Sequence, residues 1–211
     1  MSIDINEAWE KLKSKVKNCE KCGLCKTRKN TVFGEGSQDS KVVIIGEAPG
    51  FDEDEQGRPF VGKAGIKLTE ILENGGKIKR ASLYIMNVLK CVPPDETKSY
   101  KTVRAPNQEE MKQCNEYLEA QLLLLNPQII VCLGNTPNQW LLKEKEGITK
   151  IRGKWRKFRG IDALSMYHPS YIIRNENTEN EKKIKGETWA DVLSLKRRIE
   201  ELKLFDLLLK E

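Results

Sequence analysis

The chain has 211 residues, 38% of them apolar and 32% charged, with a formal net charge of +6. That length holds one large domain or two small ones, and the composition fits a soluble globular protein with a heavily charged surface. No segment approaches the roughly 18 apolar residues of a membrane span, and the positive balance is a mild pull toward polyanions such as nucleic acid.

Residues 5–17 read as a short amphipathic helix, with Ile5, Ala8, Trp9, Leu12 and Val16 on one face. The N-terminus has no apolar signal core, so a cytoplasmic protein is expected. Six cysteines in a reducing compartment point to metal or redox chemistry rather than to disulfides. The richness in Lys and Glu at ion-pair spacing would suit a thermophile. Next come Cys19, Cys22 and Cys25, two overlapping C-x-x-C spacings that can aim thiolates at one metal centre.

The stretch from Lys41 to Gly62 organises the rest. Val42 to Ile45 predicts a strand buried on both faces. Gly46 breaks it into a loop holding Glu47, Pro49, Gly50, Asp52, Glu53, Asp54 and Glu55, which closes on Gly57-Arg58-Pro59-Phe60. A helix over 62–75 follows, ended by Asn74-Gly75-Gly76. Residues 82–89 predict a second strand running into Lys90 and Cys91. After a polar loop, Asn107 and Glu110 form a capping box for a helix that carries Cys114. Residues 128–134 predict a third strand, with Cys132 inside it as a small buried residue. Asn135-Thr136-Pro137 starts a further helix. The basic run 150–160, holding Trp155 and Phe158, is either a DNA-contacting element or a solvated hairpin. A fourth strand, 163–167, meets His168-Pro169-Ser170-Tyr171. A polar stretch over 175–185 then precedes a last helix, 187–209. This alternation predicts a three-layer α/β domain with a four-stranded parallel sheet flanked by helices.

Parallel strands share a carboxyl edge, where open α/β sheets bind ligands. The first strand ends at Glu47, the second at Asn87 with Lys90 beyond it, and the fourth at His168. A carboxylate, an amide and an imidazole there could hold a heterocycle and direct a water. Each also has a bland reading: a helix cap, a satisfied loop amide, a hydrogen-bonded core histidine. Cys19, Cys22, Cys91 and Cys114 could hold zinc or an iron–sulfur cluster, with Cys25 competing for a ligand position.

The segments GEAPG at 46–50, Glu53-Asp54, GRPFVG at 57–62, NVLKC at 87–91 and HPSY at 168–171 resemble, in this order and spacing, the motifs of family 4 uracil-DNA glycosylases. These are the iron–sulfur uracil-DNA glycosylases of archaea and bacteria. The resemblance runs from Cys19 to about Arg174. It implies one uracil-DNA glycosylase-like domain over 1–211, with residues 1–30 closing a cluster site with Cys91 and Cys114. The 4Fe–4S ligands it implies are Cys19, Cys22, Cys91 and Cys114, while Cys25 falls on a position that is not a ligand. Phe60 would stack on uracil, Asn87 would bond its Watson–Crick edge, and His168 would donate toward O2. Glu47, and after it Glu53, would position the water, and Ala48 joins the substrate-binding group.

The implied activity is that of a monofunctional glycosylase that flips uracil out of DNA and hydrolyses its N-glycosidic bond. It leaves an abasic site for base excision repair. Uracil-containing DNA, single- or double-stranded, is the implied partner, with Lys90, Tyr171 and Arg174 as DNA contacts. The chain is expected to act as a monomer away from membranes. The terminal LKLFDLLLKE would pack on the sheet or dock to a sliding clamp. Two other readings stand beside this one: a non-catalytic iron–sulfur or zinc DNA-binding module, and an electron carrier built on C-x-x-C-x-x-C, which makes Cys25 a ligand.

Overall fold

The four apolar runs form strands at the expected places and lie side by side. The structure, a computed structural model, describes residues 4–98 and 101–209. In chain order the elements are α1 (Ile5–Lys17), β1 (Glu35–Gly36), β2 (Val42–Gly46), α2 (Phe51–Gln56), α3 (Lys63–Thr69), β3 (Tyr84–Asn87), α4 (Gln108–Leu125), β4 (Ile129–Leu133), α5 (Asn135–Leu141), α6 (Ile148–Ile151), β5 (Trp155–Phe158), β6 (Ile161–Met166), α7 (Pro169–Arg174) and α8 (Glu181–Glu201). The sheet order is β1-β3-β2-β4-β6-β5. The inner four strands run parallel, and β1 and β5 are antiparallel edges.

The expected four-stranded parallel sheet is therefore the centre of a six-stranded mixed one. The edge strands escape a reading of apolar runs for physical reasons. β1 is only two residues long and shows no period. β5 lies inside the basic run, with Arg156 and Lys157 exposed, as edge strands commonly are to prevent further pairing. The run does form a hairpin: β5 turns into β6 through Arg159 (φ 51°) and Gly160 (φ 87°).

Strand alternation sorts the core into two layers. Val43, Ile45, Tyr84, Met86, Ile130 and Cys132 face α1 and α4, packing on Trp9, Leu12, Val16, Leu118 and Leu122. Val42, Ile44, Ile85, Ile129, Val131 and Leu164 face the other way, onto Leu68, Leu72, Val192, Leu195 and Ile199. Runs buried on both faces have no polar alternation, which is why the inner strands stand out in the sequence.

Three boundaries differ from expectation. The acidic loop after β2 contains α2, a short helix closed by Gly57 at φ 68°. α3 continues as a π-helical segment over Glu70–Gly75. The last helix starts at Glu181, inside the polar stretch, and stops at Glu201. The tail then turns back: Leu208 bridges Ile78, the amide of Lys79 donates to the Leu207 carbonyl at 2.7 Å, and Leu207 is buried. A clamp-docking tail would first have to leave these partners, and its last two residues, Lys210 and Glu211, lie outside the described residues. Among the described residues no helix is long and apolar enough to cross a membrane.

Candidate active site

The chain leaves β2 for β3 on one side and returns to β4 on the other, so the strand order reverses beside β2. Such a reversal opens a crevice at the carboxyl edge of the sheet. A cleft of about 450 Å³ lies there. Glu47, Ala48, Glu53, Phe60, Asn87, His168, Tyr171 and Arg174 all line it. Register explains part of this convergence: Gly46 pairs with Asn87, and Leu133 with Met166, so the strand ends are level.

Asn87 is buried, and its Oδ1 has no hydrogen-bond partner among the described residues. A buried amide oxygen left unpaired is costly, so its place on a cleft wall marks it as a ligand-reading group. Phe60 is buried beside it, with φ at 53°. Its ring centroid lies 5.8 Å from that of His168. Gly46 makes this crowding feasible: a Cβ there would come within 2.4 Å of Asn87 Oδ1 and 2.6 Å of the Phe60 ring.

His168 caps α7. Its Nδ1 accepts from the Ser170 amide at 3.2 Å and lies 2.8 Å from the Ser170 hydroxyl. A backbone N–H can only donate, so Nδ1 is the acceptor and Nε2 carries the proton of the neutral ring. Burial pushes the imidazole pKa down to about 4, and the Arg174 guanidinium adds to the shift. Arg174 Nη1 also donates to Ser170 Oγ at 3.2 Å. The ring is therefore a neutral donor at physiological pH.

The two carboxylates differ in what holds them. Glu47 is half-buried, and one oxygen accepts from the Thr136 hydroxyl at the start of α5. Glu53 is fully engaged with main chain: it accepts from Gly50 at 3.0 Å and from Val61 and Gly62 at 2.9 Å each. It caps α2 and ties the loop after β2 to the loop after Phe60. Asp54 is structural too, accepting from the amides of Lys29 and Asn30.

Lys90 requires a correction. It is 1% exposed and donates to the Asn87 carbonyl at 2.8 Å, so it cannot touch DNA. Burial in the apolar wall lowers its pKa to about 8. The basic run 150–159 also contributes few free charges: Arg156 pairs with Glu144, Lys157 with Asp162, and Arg159 with Glu119. Trp155 donates to Ser194 Oγ at 2.9 Å and joins the core.

A second, small cavity lies under the N-terminal segment. Cys19, Cys22, Cys91 and Cys114 line it together with Val16, Leu24, Arg28 and Leu89; Cys25 and Cys132 do not. Arg28 Nη1 donates to Cys91 Sγ at 3.5 Å. Burial raises the thiol pKa of Cys91 to about 12 and that of Cys114 to about 11. Among the described residues no three His, Cys, Asp or Glu side chains converge on one point as ligands of a single metal ion. The four thiols share this cavity with Lys21, Lys90, Gln113 and Tyr117 as well, and four thiolates are a donor set that zinc and an iron–sulfur cluster both accept.

Thr136 was not foreseen as a site residue. The rule that located the others, polar groups just past a strand end, would have found it, because β4 ends one residue before Gly134 and Thr136 follows. Arg80, bonded to the Phe60 backbone, carries no comparable sequence signal.

Residues 33–193 match the model of the Uracil DNA glycosylase superfamily. A type-4 uracil-DNA glycosylase of Thermotoga maritima is 42% identical over 82% of this chain and 87% of its own length. Another, from Archaeoglobus fulgidus, is 37% identical over 84% of this chain and 92% of its own. A type-5 uracil-DNA glycosylase of Pyrobaculum aerophilum is more distant, at 26% identity over 75% of this chain and 71% of its own length.

Proposed function

The chain belongs to the uracil-DNA glycosylase superfamily, on its type-4 branch, and we propose that it excises uracil from DNA with the groups lining this cleft. The observation that carries the reading is the buried, unpartnered Oδ1 of Asn87 on the wall of a cleft that Phe60 and His168 also line. Uracil offers N3–H to that oxygen and O4 to the amide NH2. Cytosine presents the opposite pattern and would leave buried groups unpaired, which is a strong rejection.

A duplex buries both C1′ and the base edge, so the nucleotide must flip out, at a cost of a few kcal/mol that is least at a mispair. Phe60 stacks on the extruded ring. Cleavage of the N1–C1′ bond then builds negative charge on the base and positive charge on the sugar. Nε2–H of His168 donates to O2 and stabilises the uracil anion, as oxyanion-type donors do. Glu47, oriented by Thr136, stabilises the sugar cation and directs water to C1′. Glu53 shapes the loop, with three amides bonded to its two oxygens. Arg174 and Tyr171, on the cleft wall, meet the DNA.

In this reading Cys19, Cys22, Cys91 and Cys114 hold a 4Fe–4S cluster, which when bound joins the N-terminal segment to the end of β3 and to α4. All six cysteines are free, which suits the reducing cytoplasm. The chain is proposed to act as a monomer. Incubation with uracil-containing single- or double-stranded DNA, followed by alkali, should give breaks at uracil. No breaks from the intact protein would refute the reading. Breaks made equally well by Asn87→Ala would remove its central residue.

A further inference from the structure

We propose that Arg80 is a positioning residue that fixes the Phe60 ring as the platform for the flipped base; this rests on the reading of Phe60 as the stacking ring. Phe60 has φ 53°, a left-handed backbone that a bulky residue adopts only when its surroundings impose it. Arg80 is what surrounds it. Nη2 donates to the carbonyls of Pro59 at 3.1 Å and Phe60 at 3.0 Å. Nη1 donates to the Gly65 carbonyl at 3.3 Å and the Thr69 hydroxyl at 3.2 Å. One planar guanidinium thus grips both carbonyls at the strained residue and the first two turns of α3.

The opposite side is closed by α3 itself. A Cβ on Gly65 would lie 1.8 Å from the Phe60 carbonyl oxygen, so the helix backbone presses directly on that peptide. Arg80 is held in turn: its amide donates to Glu73 Oε1 at 3.2 Å. Among the described residues no carboxylate forms an ion pair with its guanidinium, whose bonds go to main chain and one hydroxyl instead.

The consequence for catalysis is geometric. The ring packs where a Gly46 side chain would be, against Asn87 and facing His168. Relaxation of φ at Phe60 out of the left-handed region would swing its Cα–Cβ bond, and with it the ring, relative to Asn87 and His168. None of the four acceptors of Arg80 belongs to Glu47, Asn87 or His168, so losing the guanidinium would displace the platform and leave the other groups in place. The segment is also economical in distance: four residues after Arg80 the chain enters β3, which ends at Asn87. Platform and reader are thereby referenced to one strand.

The test is a double-mutant cycle on single-turnover uracil excision from a single-stranded oligonucleotide, with Arg80→Met, Phe60→Ala and the double variant, and thermal melting of each. Arg80→Met should slow excision by roughly tenfold to a hundredfold, the scale of a misplaced positioning group. Added to Phe60→Ala, it should slow excision by less than about twofold, because the ring it positions is gone. Methylguanidinium should restore part of the rate in Arg80→Ala and none in the double variant Phe60→Ala/Arg80→Ala. If Arg80→Met melts below the assay temperature, Arg80→Lys replaces it, since one ammonium with three donors cannot serve the four acceptors shared between the two guanidinium nitrogens, and the same pattern is expected. A slow Phe60→Ala combined with a wild-type rate for Arg80→Met, or with losses that multiply, overturns the inference alone. A wild-type rate for Phe60→Ala overturns the platform reading and the inference with it.

Discussion

The amide of Ser170 donates to Nδ1 of His168 at 3.2 Å, and this bond assigns the ring proton to Nε2. Burial, with the charge of Arg174, holds the imidazole pKa near 4 against an ordinary 6.5. Between those values the unfolded chain takes up a proton that the folded chain refuses. Stability should therefore fall as pH drops from about 6.5 to about 4 and be indifferent to this group above 6.5. His168 is the chain's one histidine, so its imidazole ¹⁵N titration is unambiguous. A midpoint near 4 is expected, moving upward in Arg174→Gln as the neighbouring charge is removed. A midpoint at the ordinary value in the folded protein would contradict the neutral-donor assignment.

Asn87 should separate function from stability. Its Oδ1 has no partner among the described residues, so Asn87→Ala removes no bond that they make to that atom. Excision should fall by on the order of a hundredfold or more, while the urea midpoint shifts little, because an unpartnered buried polar atom contributes no stability. A large loss of stability would show that Asn87 is a structural amide.

Thr136→Val deletes the hydroxyl that bonds Glu47 and keeps the shape. If Glu47 is the water-directing carboxylate, kcat should drop by about tenfold with KM nearly unchanged, and Glu47→Gln should drop it on the order of a hundredfold. Equal kcat values for Thr136→Val and wild type would show that the bond does not orient Glu47 for chemistry.

Glu53 is expected to behave differently from Glu47. Glu53→Ala leaves the Gly50, Val61 and Gly62 amides without their acceptor. Destabilisation of about 2 kcal/mol is expected, in line with hydrogen bonds to a charged group, and calorimetry reads it directly. Glu47→Gln, by contrast, should melt close to wild type.

The cysteines divide four against two. Serine at Cys19, Cys22, Cys91 or Cys114 should abolish or weaken the visible absorbance of thiolate-bound iron, and serine at Cys25 should leave it intact. Loss of the chromophore in Cys25→Ser with retention in Cys114→Ser would restore the electron-carrier reading.

Much of this site was legible because its signals are local. Val42–Ile45 and Ile129–Leu133 are apolar runs rich in β-branched residues, as doubly covered strands are, and strand ends of a parallel sheet meet at one edge. From that rule alone Glu47, Asn87 and His168 belong together, and the motif order names the chemistry. β5 was hidden because an exposed edge strand carries the charges of a surface loop. A lysine past a strand end resembles a surface cation, but Lys90 is buried and lines the same cavity as Leu24, Leu89 and Cys91.

By itself, then, the sequence determined the parallel core, the edge at which chemistry occurs and the residue types available there, since these follow from period, chain direction and side-chain chemistry. Only the tertiary structure decided which atoms meet. It joined Thr136 to Glu47 by setting β4 beside β2, and placed the Arg80 guanidinium on the carbonyls of Pro59 and Phe60. Each pairing links residues distant along the chain, and no local propensity specifies such contacts; they exist because packing two layers of helices on one sheet leaves a single arrangement that fills the core.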